Sequence, residues 1–189
     1  MGCYSIVNIQ ALETERLLLF PICRDDMGEL LRGKKMRISG YQCHEEWPGD
    51  ELLEALPVMM NDLQDDPSSL GWHAWAMVEK RSSTIIGDAG FKGSPDCHGS
   101  VKLGYSVVEP FRRKGYAKEA LRILACSALE TGEISGMIAE IDTNNLPSKK
   151  LLISLGWEQK EGHEGFDVWA LERTDIYDQD EKKRKIIEK

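Results

Sequence analysis

A short basic turn at residues 112–117 has the residue types of an anion-binding site. It reads Arg112-Arg113-Lys114-Gly115-Tyr116-Ala117, and it separates an apolar, β-rich run from a stretch whose apolar residues recur with helical spacing. The first turn of a helix presents unpaired N–H groups and the positive end of the helix dipole. Cations are unfavourable there unless an anion is bound, and a glycine lets that anion approach the backbone. The turn therefore predicts a seat for a phosphate or diphosphate.

A second candidate group lies at residues 145–148, Asn145-Leu146-Pro147-Ser148. Asn is a preferred N-cap residue and Pro is favoured in the first helical turn, so a helix is expected to begin here and to end at Gly156. The Ser148 hydroxyl then lies in the first turn. It either bonds the helix backbone or faces a neighbouring site.

The elements that position these two groups predict a mixed α/β (α+β) fold in the order β-α-α-β-β-β-α-β-α-β-β. The expected strands span residues 14–21, 72–79, 84–91, 100–108, 136–142, 157–160 and 166–171. The expected helices span residues 24–38, 50–63, 117–130 and 146–155. Three consecutive strands before the basic turn form a meander, which favours a mostly antiparallel sheet. Residues 39–49 and 65–71 are expected to be connectors.

The bulk composition is that of one soluble domain, with 41% hydrophobic and 30% charged residues. No apolar run is long enough for a membrane span, and the first residues do not resemble a secretory signal. The five cysteines are scattered and form no CxxC pair. We therefore expect neither a metal site nor disulfides. We expect the thiols to be reduced, as in a cytoplasmic protein.

The charge pattern argues against nucleic acid and for a cationic partner. The net charge is −8, whereas binding to phosphate backbones needs a basic face. Between residues 38 and 79 there is no Lys or Arg, and the acidic residues there are Glu45, Glu46, Asp50, Glu51, Glu54, Asp62, Asp65, Asp66 and Glu79. These carboxylates either form ordinary solvated faces or form a wall that attracts a cationic substrate.

Taken together, the two motifs resemble the GCN5-related N-acetyltransferase (GNAT) superfamily, in particular its ribosomal-protein-alanine acetyltransferase branch. Residues 112–117 match the superfamily's Arg/Gln-x-x-Gly-x-Gly/Ala signature, and residues 145–148 lead to Ser154-Leu155-Gly156-Trp157 as they do in the family. Thr14-Glu15-Arg16-Leu17 is similar to the family's opening, and Leu103-Gly104-Tyr105 to its fourth strand. The resemblance spans residues 13–171.

The resemblance implies a GNAT fold, with about four helices around a sheet whose fourth and fifth strands splay apart, and it implies acetyl-CoA as co-substrate. The pantetheine arm would pair with the fourth strand, because a linear diamide can extend a sheet edge. The diphosphate would sit on the turn. The implied cofactor-binding residues are Ser106, Val107, Val108, Arg112, Arg113, Lys114, Gly115, Tyr116, Ala117, Lys118, Asn145 and Ser148.

Three catalytic roles follow from direct attack of an amine on the thioester. The resemblance implies the Val108 N–H as the donor to the oxyanion. The family's tyrosine acid is missing from the late helix, so Ser148 is the candidate proton donor to the CoA thiolate. The usual acid on the fourth strand is replaced by Lys102.

The general base is therefore open. Glu46 is our candidate, and the alternatives are His44, Glu45, Asp88 and His73. Asp88 is equally suited to closing a turn, and His73 to packing in the core.

These expectations define three segments, an N-terminal extension (1–12), an acetyltransferase domain (13–172) and a charged C-terminal tail (173–189). The expected activity is transfer of an acetyl group from acetyl-CoA to a primary amine, either a protein N-terminus or a small cationic amine. The alternative is an acyl-CoA-binding sensor that lacks turnover. We expect a monomer or homodimer with neither nucleic acid nor a membrane as partner.

Overall fold

The computed structural model describes residues 10–34 and 37–172 of the 189-residue chain. The predicted C-terminal tail and most of the predicted N-terminal extension lie outside these residues. Within them, β1 already begins at Leu12, one residue before the predicted start of the domain.

A ten-stranded sheet is built from the described residues. Its strands are β1 (Leu12–Glu13), β2 (Leu17–Pro21), β3 (Arg37–Ile38), β4 (Tyr41–Cys43), β5 (Ala74–Glu79), β6 (Thr84–Phe91), β7 (Ser100–Val107), β8 (Gly136–Asp142), β9 (Glu158–His163) and β10 (Phe166–Glu172). The main order is β1-β2-β5-β6-β7-β8-β10-β9, and β3 and β4 add to the side of β6. The predicted mixed, mostly antiparallel sheet is confirmed.

The sheet splits between β7 and β8, which correspond to the fourth and fifth strands of the resemblance. These two strands pair in parallel only where residues 100–102 meet residues 136–138. Beyond that point β8 continues to pair with β10 along its length, while β7 continues to pair with β6. The carboxyl-terminal half of β7 therefore has a neighbour on one edge only, as the predicted splay requires.

Four α-helices flank the sheet: α1 (Arg24–Leu31), α2 (Asp50–Asp65), α3 (Tyr116–Glu130) and α4 (Leu146–Ser154). Pro57 lies inside α2 without ending it, and no helix among the described residues is long and apolar enough to cross a bilayer. α3 is the crossover between the parallel strands β7 and β8, so its first turn lies at the end of β7, where the sheet splits.

The core lies against the central strands. Every residue of β5 is buried, and so are residues 85–91 of β6. Three tryptophans, Trp47, Trp72 and Trp75, are among the largest fully buried side chains. A polar side chain carried by these strands is consequently enclosed by apolar groups, which matters for Asp88.

Two sequence-based expectations fail in the first half of the chain. α1 ends at Leu31 rather than near residue 38, because Gly33 follows with a positive φ of 76°. The supposed connector at residues 39–49 contains β4, which pairs in parallel with β6. This pairing brings the segment around His44 and Glu46 to the centre of the sheet, where the sequence alone did not place it.

Candidate active site

The basic turn lies at the start of α3 and leaves the first helical amides uncapped. Gly115 is the N-cap with φ +85°, and no side chain caps the helix. Arg113 also has a positive φ of 59°, and residues 112–115 are exposed. A left-handed N-cap glycine followed by uncapped N–H groups is a suitable seat for an anion. The Tyr116 side chain points inward and is buried, so only its backbone is available to a ligand.

The register of β6 and β7 decides which backbone groups of β7 face the split. The Val108 N–H donates to the Ile86 carbonyl (2.9 Å) and the Lys92 N–H to the Lys102 carbonyl (2.9 Å). In an antiparallel pair, hydrogen-bonded positions alternate with positions whose polar groups point outward. The unbroken register between these two bonds therefore directs the backbone of Ser106 toward β6.

Tyr105 and Val107 occupy the intervening positions, so their N–H and C=O groups point toward the gap between β7 and β8. The Val108 N–H is already bonded within the sheet, and its predicted role as oxyanion donor would require that bond to open. Arg112 donates its Nε to the Val107 carbonyl (2.7 Å). This guanidinium is thus anchored to the strand, and its Nε does not face the seat at the helix start.

The start of α4 lies beside the Tyr105 side chain of β7. The Asn145 side chain accepts a hydrogen bond from the Ser148 N–H (3.1 Å), which is the predicted N-cap. The Tyr105 hydroxyl is buried and lacks a hydrogen-bond partner of good geometry in the described part of the chain. Burial raises the pKa of Tyr105, and the nearby Ser148 side chain offsets part of that rise. A phenol is therefore present here after all, on β7 and not on α4.

Asp88, on β6, forms a buried polar cluster on the sheet face opposite to the one that carries the Tyr105 side chain. Its Oδ2 accepts hydrogen bonds from Trp47 Nε1 (2.8 Å) and from Ser106 Oγ (2.9 Å). Burial raises the pKa of Asp88 from 3.8 to about 6, and the charge of Glu51 adds to the rise while the two hydrogen bonds oppose it. The cluster thus joins a carboxyl group whose pKa is raised to about 6 to the hydroxyl of Ser106 on β7.

Glu46 lies at the end of β7. Its Oε2 accepts a hydrogen bond from the Glu109 N–H (2.9 Å), and its own N–H is bonded to His44 Nδ1 (3.3 Å). The His44 ring packs edge-on against Phe111. Both side chains therefore border the turn, and the Glu46 carboxylate is exposed to solvent.

His73 lies elsewhere. It is buried and contacts Ser69 (Oγ to Nε2, 3.2 Å), and burial lowers its pKa. It precedes β5, where Ala74 pairs with Gly90, whereas Asp88 pairs with Ala76 further along the strand. The structure does not bring His73 to the cluster around Asp88.

The acidic segment divides into two kinds of carboxylate. Asp66 caps a 3-10 helix (Pro67–Trp72) through Ser68, and Glu79 is buried beside Tyr116 and Ser82. By contrast, Asp50, Glu51 and Glu54 are exposed in the first half of α2. Among the described residues, no group of three or more His, Cys, Asp or Glu side chains could hold a metal ion.

A comparison with protein families matches residues 16–158 to the Acetyltransferase (GNAT) domain. The chain belongs to the GNAT family. It is 33% identical over 148 residues to the uncharacterized N-acetyltransferase YjdG of Bacillus subtilis, which covers 77% of this chain and 88% of that protein. It is also 30% identical over 155 residues to the uncharacterized N-acetyltransferase p20 of Bacillus licheniformis, covering 82% and 85%.

Solved structures show the same fold. Ribosomal-protein-S5-alanine acetyltransferase from Vibrio fischeri matches with a TM-score of 0.62 and 15% identity over 88% of this chain and 98% of that one. Mycobacterium smegmatis RimJ in complex with CoA-disulfide matches with a TM-score of 0.62 and 14% identity over 90% of each chain. The chain is accordingly an N-acetyltransferase that uses acetyl-CoA as co-substrate, which does not favour the alternative of a sensor without turnover.

The sequence-based interpretation missed three contributors to the site. Trp47 and the Ser106 hydroxyl enter it through their bonds to Asp88, and Tyr105 enters it through its position beside Ser148. Strand alternation could have indicated that Tyr105 and Ser106 face opposite sides of the sheet. No local signal points to Trp47, because its contact with Asp88 spans 41 residues.

Proposed function

We propose that this GNAT enzyme acetylates a primary α-amine in a cationic acceptor, such as a basic peptide with a free N-terminus. The observation that carries the proposal is the Ser106–Asp88 pair, because it links a hydroxyl on the cofactor strand to a carboxyl group with a pKa of about 6. Ser106 is half-buried, so an acceptor can reach it although Asp88 is enclosed.

In this proposal the acceptor ammonium first gives a proton to Ser106 Oγ, whose own proton passes to Asp88, and the free amine then attacks the thioester carbonyl. The outward-facing N–H of Val107 is the donor for the oxyanion, in place of the Val108 N–H. Ser148 then protonates the departing CoA thiolate, and the second proton, which the nitrogen loses as the tetrahedral intermediate collapses, restores the Ser148 hydroxyl through solvent. The diphosphate sits on the amides at the start of α3, and Asn145 holds the start of α4 in place.

The lower pKa of the amine itself favours an α-amine over a side-chain amine. An α-amino group has a pKa of about 8, whereas that of a lysine side chain is about 10.4. Removing the proton that blocks attack is therefore less costly for the α-amine by about 3 kcal/mol, whichever base accepts it. The exposed carboxylates of Glu46 and Glu51 favour an acceptor whose remaining charge is positive.

The test is an amine panel with acetyl-CoA in which released thiol is measured. Basic peptides with a free N-terminus should release thiol faster than the same peptides with a blocked N-terminus and a free lysine. Acidic peptides with a free N-terminus serve as the charge control and should react more slowly. Preference for blocked lysine peptides or polyamines would contradict the α-amine assignment, and equal rates for acidic and basic peptides would contradict the cationic acceptor.

A further inference from the structure

The first strand region is tied to the start of α3 by a network around Glu119. This carboxylate accepts hydrogen bonds from Thr14 Oγ1 (2.5 Å), from the Arg16 N–H (2.9 Å) and from Arg16 Nε (2.8 Å). Arg16 also places a second guanidinium nitrogen 2.6 Å from Glu119 Oε2. Burial acts to raise the pKa of Glu119, but the bonds from Thr14 and Arg16 outweigh it and the pKa is lowered. The group therefore stays ionised.

The same guanidinium reaches the turn that precedes α3. Arg16 Nη1 donates to the Lys114 carbonyl (2.8 Å), and the guanidinium carbon lies 4.5 Å from the centroid of the Tyr116 ring. A Cβ atom placed on Gly115 would lie 3.3 Å from Arg16 Nη2. Arg16 thus contacts Lys114, Tyr116 and Glu119 and passes beside Gly115.

This contact falls where the turn has a costly backbone conformation. Arg113 and Gly115 both have positive φ angles, and a non-glycine residue in that region is held only when its surroundings impose it. Residues 112–115 are exposed, so burial against the rest of the protein does not impose this backbone conformation. The bond from Arg16 to the Lys114 carbonyl restrains the peptide between these two positions.

We propose that Arg16 and Glu119 are positioning residues that hold the turn at residues 112–115 in its CoA-binding shape. Glu119 orients the guanidinium, and the guanidinium fixes the Lys114 carbonyl on the side away from the helix amides. Those amides then point at the diphosphate without rearrangement when CoA arrives. The inference rests on the proposed seat of the diphosphate at this turn.

The test measures the Kd of CoA by calorimetry for Arg16→Lys and Glu119→Gln. Lysine keeps the positive charge but cannot bond Glu119 and the Lys114 carbonyl together, because it lacks the planar fork of arginine. Each variant should weaken CoA binding by about tenfold, the scale of one charge-assisted hydrogen bond. The double variant should lose little more than either single one, since both substitutions break the same contact.

Two further measurements separate this role from other ones. Dephospho-CoA retains the diphosphate and lacks the 3′-phosphate, so its affinity should fall by the same factor as that of CoA. A loss confined to CoA would mean that Arg16 contacts the 3′-phosphate directly, and that would overturn the positioning role. Wild-type affinity in both variants, together with a lowered melting temperature, would overturn it as well, because the contact would then serve folding alone.

Glu13→Gln is the matched control. Glu13 lies on the neighbouring strand β1, is exposed and pairs with Lys80 (3.2 Å), so its loss should leave the Kd of CoA unchanged. Gly115→Glu tests the seat itself. If Gly115→Glu removes CoA binding while Arg16→Lys and Glu119→Gln do not, the seat stands and the positioning role is wrong. If Gly115→Glu leaves binding intact, the seat is wrong and the positioning role falls with it.

Discussion

The gap-facing edge of β7 and the sheet face that carries Ser106 draw their candidate site groups from different parts of the chain. On the edge toward the gap, the site is made of backbone groups of Tyr105 and Val107 and the amides at the start of α3, all within one continuous strand–turn–helix. On the face that carries Ser106, the site is made of side chains that meet across long sequence distances, as Trp47 and Asp88 do. In the proposed mechanism, cofactor binding is thus encoded locally, whereas proton removal depends on tertiary packing.

This difference predicts how each part fails. A substitution in the local part should abolish CoA binding and spare the acceptor part, and a substitution in the packed part should do the reverse. The ratio between effects on CoA affinity and on turnover therefore reports to which part a residue belongs.

The largest effect is expected for Gly115→Glu. The new side chain adds a carboxylate to the anion seat and is strained at φ +85°, so the Kd of CoA should rise by about a hundredfold or more. Calorimetry measures this. Gly132→Glu is the control, because Gly132 follows α3 with φ +76° and has open space around it. A similar loss of affinity in both variants would mean that backbone strain, and not the seat, is responsible.

Asp88→Asn should lower turnover by about a hundredfold, the lower range for loss of a general base, with the Kd of CoA unchanged. In the wild type the rate should fall as the pH drops below about 6, where Asp88 becomes protonated. Steady-state rates between pH 5 and 9 measure both. A variant that keeps both its rate and this acidic limb would show that Glu46 or another group is the base.

The same substitution has a stability signature of definite sign. Because the pKa of Asp88 is raised in the folded protein, the stability that its protonation contributes is fully present below pH 3.8. This contribution is lost as the pH rises through about 6. The asparagine of the Asp88→Asn variant does not titrate and can still accept from Trp47 and Ser106. The stability of this variant relative to the wild type should therefore grow by about 3 kcal/mol between pH 3.8 and pH 7.

Asp96→Asn supplies a control of opposite sign. Hydrogen bonds from the Ser100 and His98 amides lower the pKa of Asp96, so the wild type should lose stability relative to this variant as the pH falls below 3.8. Denaturant unfolding at several pH values measures both differences. The same slope in both variants would contradict the raised pKa of Asp88.

Ser148→Ala should lower turnover by about tenfold with little change in the Kd of CoA, because CoA thiolate is a better leaving group than an alkoxide and needs less protonation. Ser154→Ala, on the same helix, is the control, since its hydroxyl is bonded to the Leu151 carbonyl (2.8 Å). Normal turnover in Ser148→Ala would remove Ser148 as the acid. The neighbouring phenol of Tyr105 would then be the group to substitute next.

The smallest effect is expected on the acidic surface of α2. Replacing Glu51 and Glu54 together by Gln should raise the KM for a basic peptide about threefold at low salt, and this difference should vanish near 1 M salt, as expected for exposed charges. Glu130→Gln, at the far end of α3, is the control. A KM that rises equally in 1 M salt would mean that the two residues make direct contacts instead of attracting the acceptor through their charge.

Sequence reasoning predicted most of the fold, because the relevant signals are local. The strand at Thr84–Phe91 and that at Gly136–Asp142 have the predicted bounds, and Asn145 caps α4 as expected. The errors occur where long-range contacts override local patterns. β4 has few strand-forming residues, yet it pairs with β6, and residues 32–38 continue a helical pattern that Gly33 ends.

The candidate site follows the same division. The turn at residues 112–117, the uncapped start of α3 and the Asn145 cap were accessible from the sequence, since each depends on neighbours along the chain. The sequence left the base open among His44, Glu45, Glu46, Asp88 and His73. Only the structure separates His73 from the cluster and joins Asp88 to Ser106.

By itself, then, the sequence predicted the local geometry of the proposed cofactor site, because a strand, a glycine turn and a helix start impose their own backbone geometry. The tertiary structure alone decided the rest. The register of β6 and β7 bonds the Val108 N–H to the Ile86 carbonyl and turns the Val107 N–H outward, and burial raises the pKa of Asp88 to about 6. Register and desolvation arise only when distant segments pack together, so no local pattern can report them.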